Sequence, residues 1–129
     1  MSEKIAEKFI AALAELEANR DVETITGLYT ENSEIGNIVT DSGNHRSSKG
    51  AREFWTNYRD TFGEVKSEFR NKIFSGDAVA LEWTTEGTNN NGQAIKYDGV
   101  SILETDGEKI TRFFAYFNPT ELGHQITEQ

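Results

Sequence analysis

Asp98, Glu82, Glu86 and Asn37 are polar side chains set in otherwise apolar, strand-like surroundings, the type and placement that proton transfer in a pocket requires. If Glu82 and Asp98 face each other across adjacent strands inside an apolar enclosure, burial and mutual repulsion raise at least one of their pKa values. A raised carboxyl serves as general acid or base, so these two are the catalytic candidates. Asn37 cannot accept a proton from carbon at neutral pH but can orient an oxygen. Trp55, Tyr58, Phe113 and Phe117 would be the walls of such a pocket and, with Asn37 and Glu86, its ligand contacts. The competing reading leaves the acids on a wetter face, or paired with Lys96 and Arg112, and makes the aromatic residues plain core.

Other chemistry finds no support. The chain has no cysteine, which removes disulfides, thiolate catalysis and thiolate metal sites together. His45 lies in a polar stretch and His124 near the C-terminus, neither with a partner at metal-ligand spacing, so no metal is expected. No Gly-x-Ser-x-Gly elbow occurs, and Ser47 and Ser48 are explained as helix caps. Nothing implies a nucleotide or flavin, so no cofactor is expected. The 22 acidic residues against 13 lysines and arginines give a formal charge of −9, which argues against nucleic acid and anionic membranes. No run approaches the roughly 20 apolar residues of a membrane span. Met1-Ser2-Glu3-Lys4 does not begin a signal peptide, so a cytoplasmic location is expected.

The elements that must position these residues are legible in order. One domain over 1–129 follows from the length, the single proline and the absence of repeats. Ile5, Phe9, Leu13 and Leu16 share one face of a helix starting near Ser2 and ending near Asn19. Asp21 caps a second helix carrying Val22, Ile25, Leu28 and Tyr29, stopped at Asn32 and Ser33. Glu34 to Val39 reads as a short strand and Asp41 to Lys49 as a polar loop. Ala51, Phe54, Trp55, Tyr58 and Phe62 form the stripe of a third helix, capped by Ser47 or Ser48.

From Glu64 to Asn118 four long strands are separated by turn signals at Ser75-Gly76-Asp77, Asn89-Asn90-Asn91-Gly92 and Asp106-Gly107. Val79, Leu81 and Trp83 share one face of the second of these strands, and Ala80, Glu82, Thr84 and Glu86 the other. Gly99, mid-strand, suggests a bulge. Both faces of the last strand are apolar, with Phe113, Ala115 and Phe117 opposed to Phe114 and Tyr116. Helices on one side and a partner on the other would cover them, so a homodimer through the sheet face is expected. A meander covered by the N-terminal helices makes an α+β layer with a pocket between sheet and helices.

This order of segments resembles the nuclear transport factor 2-like superfamily and, within it, the SnoaL-like branch. The matching stretches are Leu28-Tyr29-Thr30-Glu31-Asn32, Lys49-Gly50-Ala51-Arg52-Glu53-Phe54-Trp55, Ala80-Leu81-Glu82-Trp83, and Gly107-Glu108-Lys109-Ile110 leading into Tyr116-Phe117-Asn118-Pro119. The resemblance implies a conical barrel, a curved and mostly antiparallel sheet wrapped around three N-terminal helices. Such folds host isomerases, cyclases, hydrolases, dehydratases and non-catalytic binding proteins, so the fold alone assigns no activity. Ketosteroid isomerases of the superfamily need a carboxylate base and an oxyanion hole. The position matching their base is Asn37, and their first-helix tyrosine falls near Phe9 or Leu13. Their second acid matches Asp98, or Val100 in an ungapped alignment, so steroid isomerisation by that mechanism is excluded.

Three functions follow. The chain binds a small apolar ligand without converting it; or it is a cofactor-independent enzyme moving protons on a small apolar carbonyl or polyketide-like compound, with Asp98 and Glu82 as carriers; or it is an assembly module acting through an exposed aromatic face at Phe114 and Tyr116.

Overall fold

Among the described residues, three helices and six strands follow one another as α1 (Ser2–Asn19), α2 (Val22–Thr26), β1 (Tyr29–Val39), β2 (Asn44–Ser47), α3 (Ala51–Thr61), β3 (Phe62–Ser75), β4 (Ala78–Asn89), β5 (Ala94–Thr105) and β6 (Ile110–Phe117). The structure, a computed structural model, describes residues 2–39, 44–47 and 50–117. The strands form one sheet in the order β2-β1-β6-β5-β4-β3. Every neighbouring pair is antiparallel except β1 with β6, which run parallel. This is the expected α+β architecture, with α1 and α3 packed on one face of the sheet.

The helices form where the apolar spacing places them. On α1, Ile5, Phe9, Leu13 and Leu16 are all buried, together with Ala6 and Ala12. Each large side chain taken from water in this way contributes about 1.5–3 kcal/mol. Asp21 caps α2 as expected, its carboxylate accepting from the Glu23 and Thr24 amides at 3.0 and 3.3 Å. The helix stops earlier than the apolar repeat suggests, at Thr26. Leu28 and Tyr29 leave it because the chain is drawn into the sheet: Ile110 N donates to Leu28 O at 2.7 Å, and Tyr29 pairs with Ile110. A register shift between Tyr29 and Glu34 follows, bridged by the Ser33 hydroxyl, which donates to Ile110 O at 2.6 Å.

Two further boundaries differ from expectation. Gly50, not Ser47 or Ser48, stands at the N-cap of α3. Ser47 ends β2, a strand inside the stretch expected to be a loop, and Ser48 lies outside the described residues. Phe62 opens β3 rather than closing α3, yet it keeps its place inside, being 2% exposed. His45 pairs with Ile38 in β2; His124 lies outside the described residues.

Pairing in the sheet decides which face of β4 points inward. Val79, Leu81, Trp83 and Thr85 face the helices and are buried, and the unshifted β4–β5 register carries that face to Leu103, Ser101, Gly99 and Tyr97. On β6 the same face continues as Phe113, Ala115 and Phe117, and on β1 as Ile35 and Asn37. Gly99 therefore marks no bulge. A Cβ there would lie 2.5 Å from the Trp83 indole, so glycine leaves the space that the ring occupies.

On the outer face, the apolar side chain expected to be exposed at Phe114 is covered within the chain. Phe114 is only 1% exposed, with the Arg112 guanidinium 4.4 Å from its ring centre. The exposed aromatic face that the assembly reading requires is thus absent at Phe114, and that side chain supplies no argument for a partner subunit.

Candidate functional site

Where α1 and α3 lift away from the inner face of β3–β6, a cavity of about 250 Å³ remains. Its walls are a run of aromatic rings in contact. Phe9, Trp55 and Phe113 meet pairwise at 5.2–5.8 Å between ring centres. Trp55 continues to Tyr58 at 5.4 Å and Tyr58 to Phe62 at 5.2 Å. Tyr97 meets both Trp83 and Phe117, at 5.4 and 5.5 Å. Asn57 and Thr61, exposed on the last turns of α3, stand at its mouth. No charged side chain lines it among the described residues.

Five residues proposed from the sequence as ligand contacts line this cavity: Asn37, Trp55, Tyr58, Phe113 and Phe117. Glu82, Glu86 and Asp98 do not. They sit on the outer face of β4 and β5, because Trp83 and Thr85 claim the inner one and period-2 alternation sends their neighbours outward. There Asp98 accepts from the Thr84 hydroxyl at 2.6 Å, and Arg70 stands 3.8 Å from Glu82 and 3.7 Å from Asp98. Glu86 faces Lys96 at 3.9 Å. Arg112, expected as a partner, pairs with Glu104 instead. Such exposed pairs are worth about 0–1 kcal/mol and bring no carboxylate to the cavity.

A carboxylate that the sequence reading passed over stands behind the cavity wall, hydrogen-bonded to residues that line it. Glu17, on α1, accepts from the Tyr58 hydroxyl at 2.7 Å, the Ser67 amide at 2.8 Å and the Ser67 hydroxyl at 2.6 Å. Ser67 in turn lies 2.7 Å from the Thr85 hydroxyl. Tyr58, Ser67 and Thr85 all line the cavity. A signal was present: Phe9, Leu13 and Glu17 are spaced by four, so the carboxylate continues the row that faces the sheet. On the opposite wall Trp83 Nε1 donates to Ser101 Oγ at 2.9 Å. Trp55 Nε1 and the Tyr29 hydroxyl are buried without a hydrogen-bond partner of good geometry.

Burial pushes the phenols of Tyr29, Tyr58 and Tyr97 above the ordinary tyrosine value, and the negative charge of Glu17 raises Tyr58 and Tyr97 further. Below about pH 10 folded and unfolded chains both hold these protons; above it the unfolded chain releases protons that the folded chain keeps. Stability is therefore expected to fall as pH rises beyond that point, by up to about 1.4 kcal/mol per pH unit for each buried phenol. Urea midpoints measured across this range, with tyrosinate absorbance followed in parallel, check it; a midpoint unchanged through the alkaline range would show that these phenols ionise freely in the fold.

A model of the SnoaL-like domain matches residues 6–113. No curated protein matches the chain in sequence. Among solved structures, TerC co-crystallised with polyporic acid superposes with a TM-score of 0.78 at 21% identity, covering 98% of each chain. An LEH-like epoxide hydrolase from M. tuberculosis gives 0.73 at 19% identity, over 98% of this chain and 90% of that one. An NTF2-like protein from Anabaena variabilis gives 0.78 at 18% identity, over 91% and 89%. These similarities establish the shared fold.

Proposed function

Because the chain belongs to the SnoaL-like domain family, we propose that it binds a small, uncharged, ring-containing molecule in the cavity between α1, α3 and the sheet. The observation that carries this reading is an aromatic-walled space of about 250 Å³ whose lining, among the described residues, holds hydroxyls and amides but no charge. An ion entering it would lose its hydration and gain no countercharge in the lining, whereas an apolar ring gains by burial on every side. A cavity of ~150 Å³ already accepts benzene, and sites for drug-sized ligands start near 300 Å³, so one or two rings fit. Asn37, Trp55, Tyr58, Phe113 and Phe117 would be the contacts. TerC, which shares this fold, was co-crystallised with a small molecule, polyporic acid, and this supports the reading.

Glu82 and Asp98 do not reach the cavity, so neither can move a proton on a ligand held there. Both tryptophans of the chain, Trp55 and Trp83, do line it, so intrinsic fluorescence reports occupancy directly. Titration with neutral one- and two-ring aromatic compounds is expected to change that emission and raise the melting temperature. A ligand at about 100 times its Kd adds about 2.7 kcal/mol. The double variant Glu82→Gln/Asp98→Asn should keep its affinity within about twofold, whereas Ala115→Leu, which fills the cavity, should lose at least tenfold. Binding that survives Ala115→Leu, or no binding by any such compound, would sink the proposal.

A further inference from the structure

We propose that the Glu17 cluster is a hydrogen-bond acceptor site that selects ligands carrying a neutral hydroxyl group, a phenol or alcohol on an apolar ring. This rests on the cavity being a ligand site and adds the polarity of what it takes. The inference comes from counting protons. Glu17 as a carboxylate offers only lone pairs, and Tyr58 and Ser67 each spend their single hydroxyl proton on it. With its proton committed, Ser67 Oγ can only accept across the 2.7 Å contact to Thr85, so the Thr85 proton is spent as well. The three hydroxyls that line this wall thus hold no proton for a ligand and present only oxygen lone pairs.

The direction is built in rather than free to rotate. The Ser67 amide also donates to Glu17 at 2.8 Å, which ties the carboxylate to β3, and an ionised carboxylate is a stronger acceptor than the neighbouring hydroxyl oxygens, which lie 3.4 Å apart between Tyr58 and Ser67 and 2.7 Å apart between Ser67 and Thr85. Tyr58 is held as the protonated donor by its burial and by the charge of Glu17. A ligand ether or carbonyl placed here meets lone pairs with lone pairs, whereas a hydroxyl donates into them. A phenolate is disfavoured twice, by the apolar walls and by the negative charge behind the hydroxyls. Donors lie elsewhere: Ser101 accepts from Trp83 and keeps its own proton, and Tyr97 lines the same space. The site therefore has a polarity, accepting beside α1 and β3 and donating from β5.

Calorimetric titration of the full chain with 2-naphthol and with 2-methoxynaphthalene tests this. The two differ in the one proton at issue. 2-Naphthol is expected to bind at least tenfold more tightly, and Glu17→Gln, whose amide turns one hydroxyl around so that it faces the ligand as a donor, should cut that ratio to about twofold or less. Thr85→Val, which removes one acceptor and leaves the bonds of Glu17 in place, and Tyr58→Phe, which removes an acceptor together with one donor to Glu17, are measured alongside in case the Glu17→Gln variant does not fold; at least one must lower the ratio. Equal affinities in the unmodified protein, or a ratio that survives every variant, overturn the acceptor assignment and leave the cavity reading standing. No binding of either compound overturns both.

Discussion

Replacing Phe113 by alanine is expected to cost about 3–5 kcal/mol of stability. The ring is 2% exposed and sits at the centre of the aromatic cluster, 5.2 Å from Phe9, 5.4 Å from Trp55, 5.9 Å from Phe54 and 6.4 Å from Tyr29, measured between ring centres. Those four rings come from α1, α3 and β1, so no single element can move in to fill the space. Against a total of about 5–15 kcal/mol for a domain, the loss is large enough to leave part of the population unfolded at room temperature. Chemical denaturation gives the number. Phe113→Leu, which retains most of the volume, should cost well under half as much. A loss below about 1 kcal/mol for Phe113→Ala would mean that the surrounding rings collapse freely and that the cavity has no rigid floor.

Gly87→Ala is the other large effect, and its cause is backbone. A Cβ at Gly87 would lie 1.9 Å from the Glu64 carbonyl oxygen and 2.8 Å from Val65 Cα. The register of β3 on β4 is irregular between Phe62 and Val65, and this irregularity presses the β3 chain against Gly87. Neither atom belongs to a flexible side chain, so the strands must separate. Overpacking typically costs about 1–3 kcal/mol, and a clash with fixed backbone belongs at the upper end or beyond. The displaced segment runs directly into Ser67, whose amide binds Glu17, so the variant should also loosen that contact. Amide hydrogen exchange at Val65 to Ser67, together with a denaturation midpoint, checks both parts. Unchanged exchange with a wild-type midpoint would show that β3 shifts at no cost.

Much of this molecule was legible from residue order. The 3.6-residue spacing of Ile5, Phe9, Leu13 and Leu16 and of Ala51, Phe54, Trp55 and Tyr58 names two helix faces, because an amphipathic helix buries one stripe whatever it packs on. The turns after β3, β4 and β5 fall where Ser75-Gly76-Asp77, Asn89-Asn90-Asn91-Gly92 and Asp106-Gly107 stand. Where a strand pairs was less legible: Leu28 and Tyr29 continue a helical repeat, and only β6 lying alongside draws them into the sheet.

The sequence by itself determined which residues share a face, since alternation in a strand separates Val79, Leu81 and Trp83 from Ala80, Glu82 and Thr84 without knowing anything else about the fold. It did not determine which set points inward. Both faces of β6 are apolar, so local composition is nearly balanced, and the choice falls to the helices that cover one side. That choice put Trp83 into the cavity and sent Glu82, Glu86 and Asp98 to the surface. Tertiary structure alone also assembled the Glu17 site, whose parts on α1, α3, β3 and β4 are 41 and 50 positions apart for the bonds to Tyr58 and Ser67. A hydrogen bond needs its two atoms within about 3 Å, and no local pattern encodes a meeting between segments that only the packing of helix on sheet brings together.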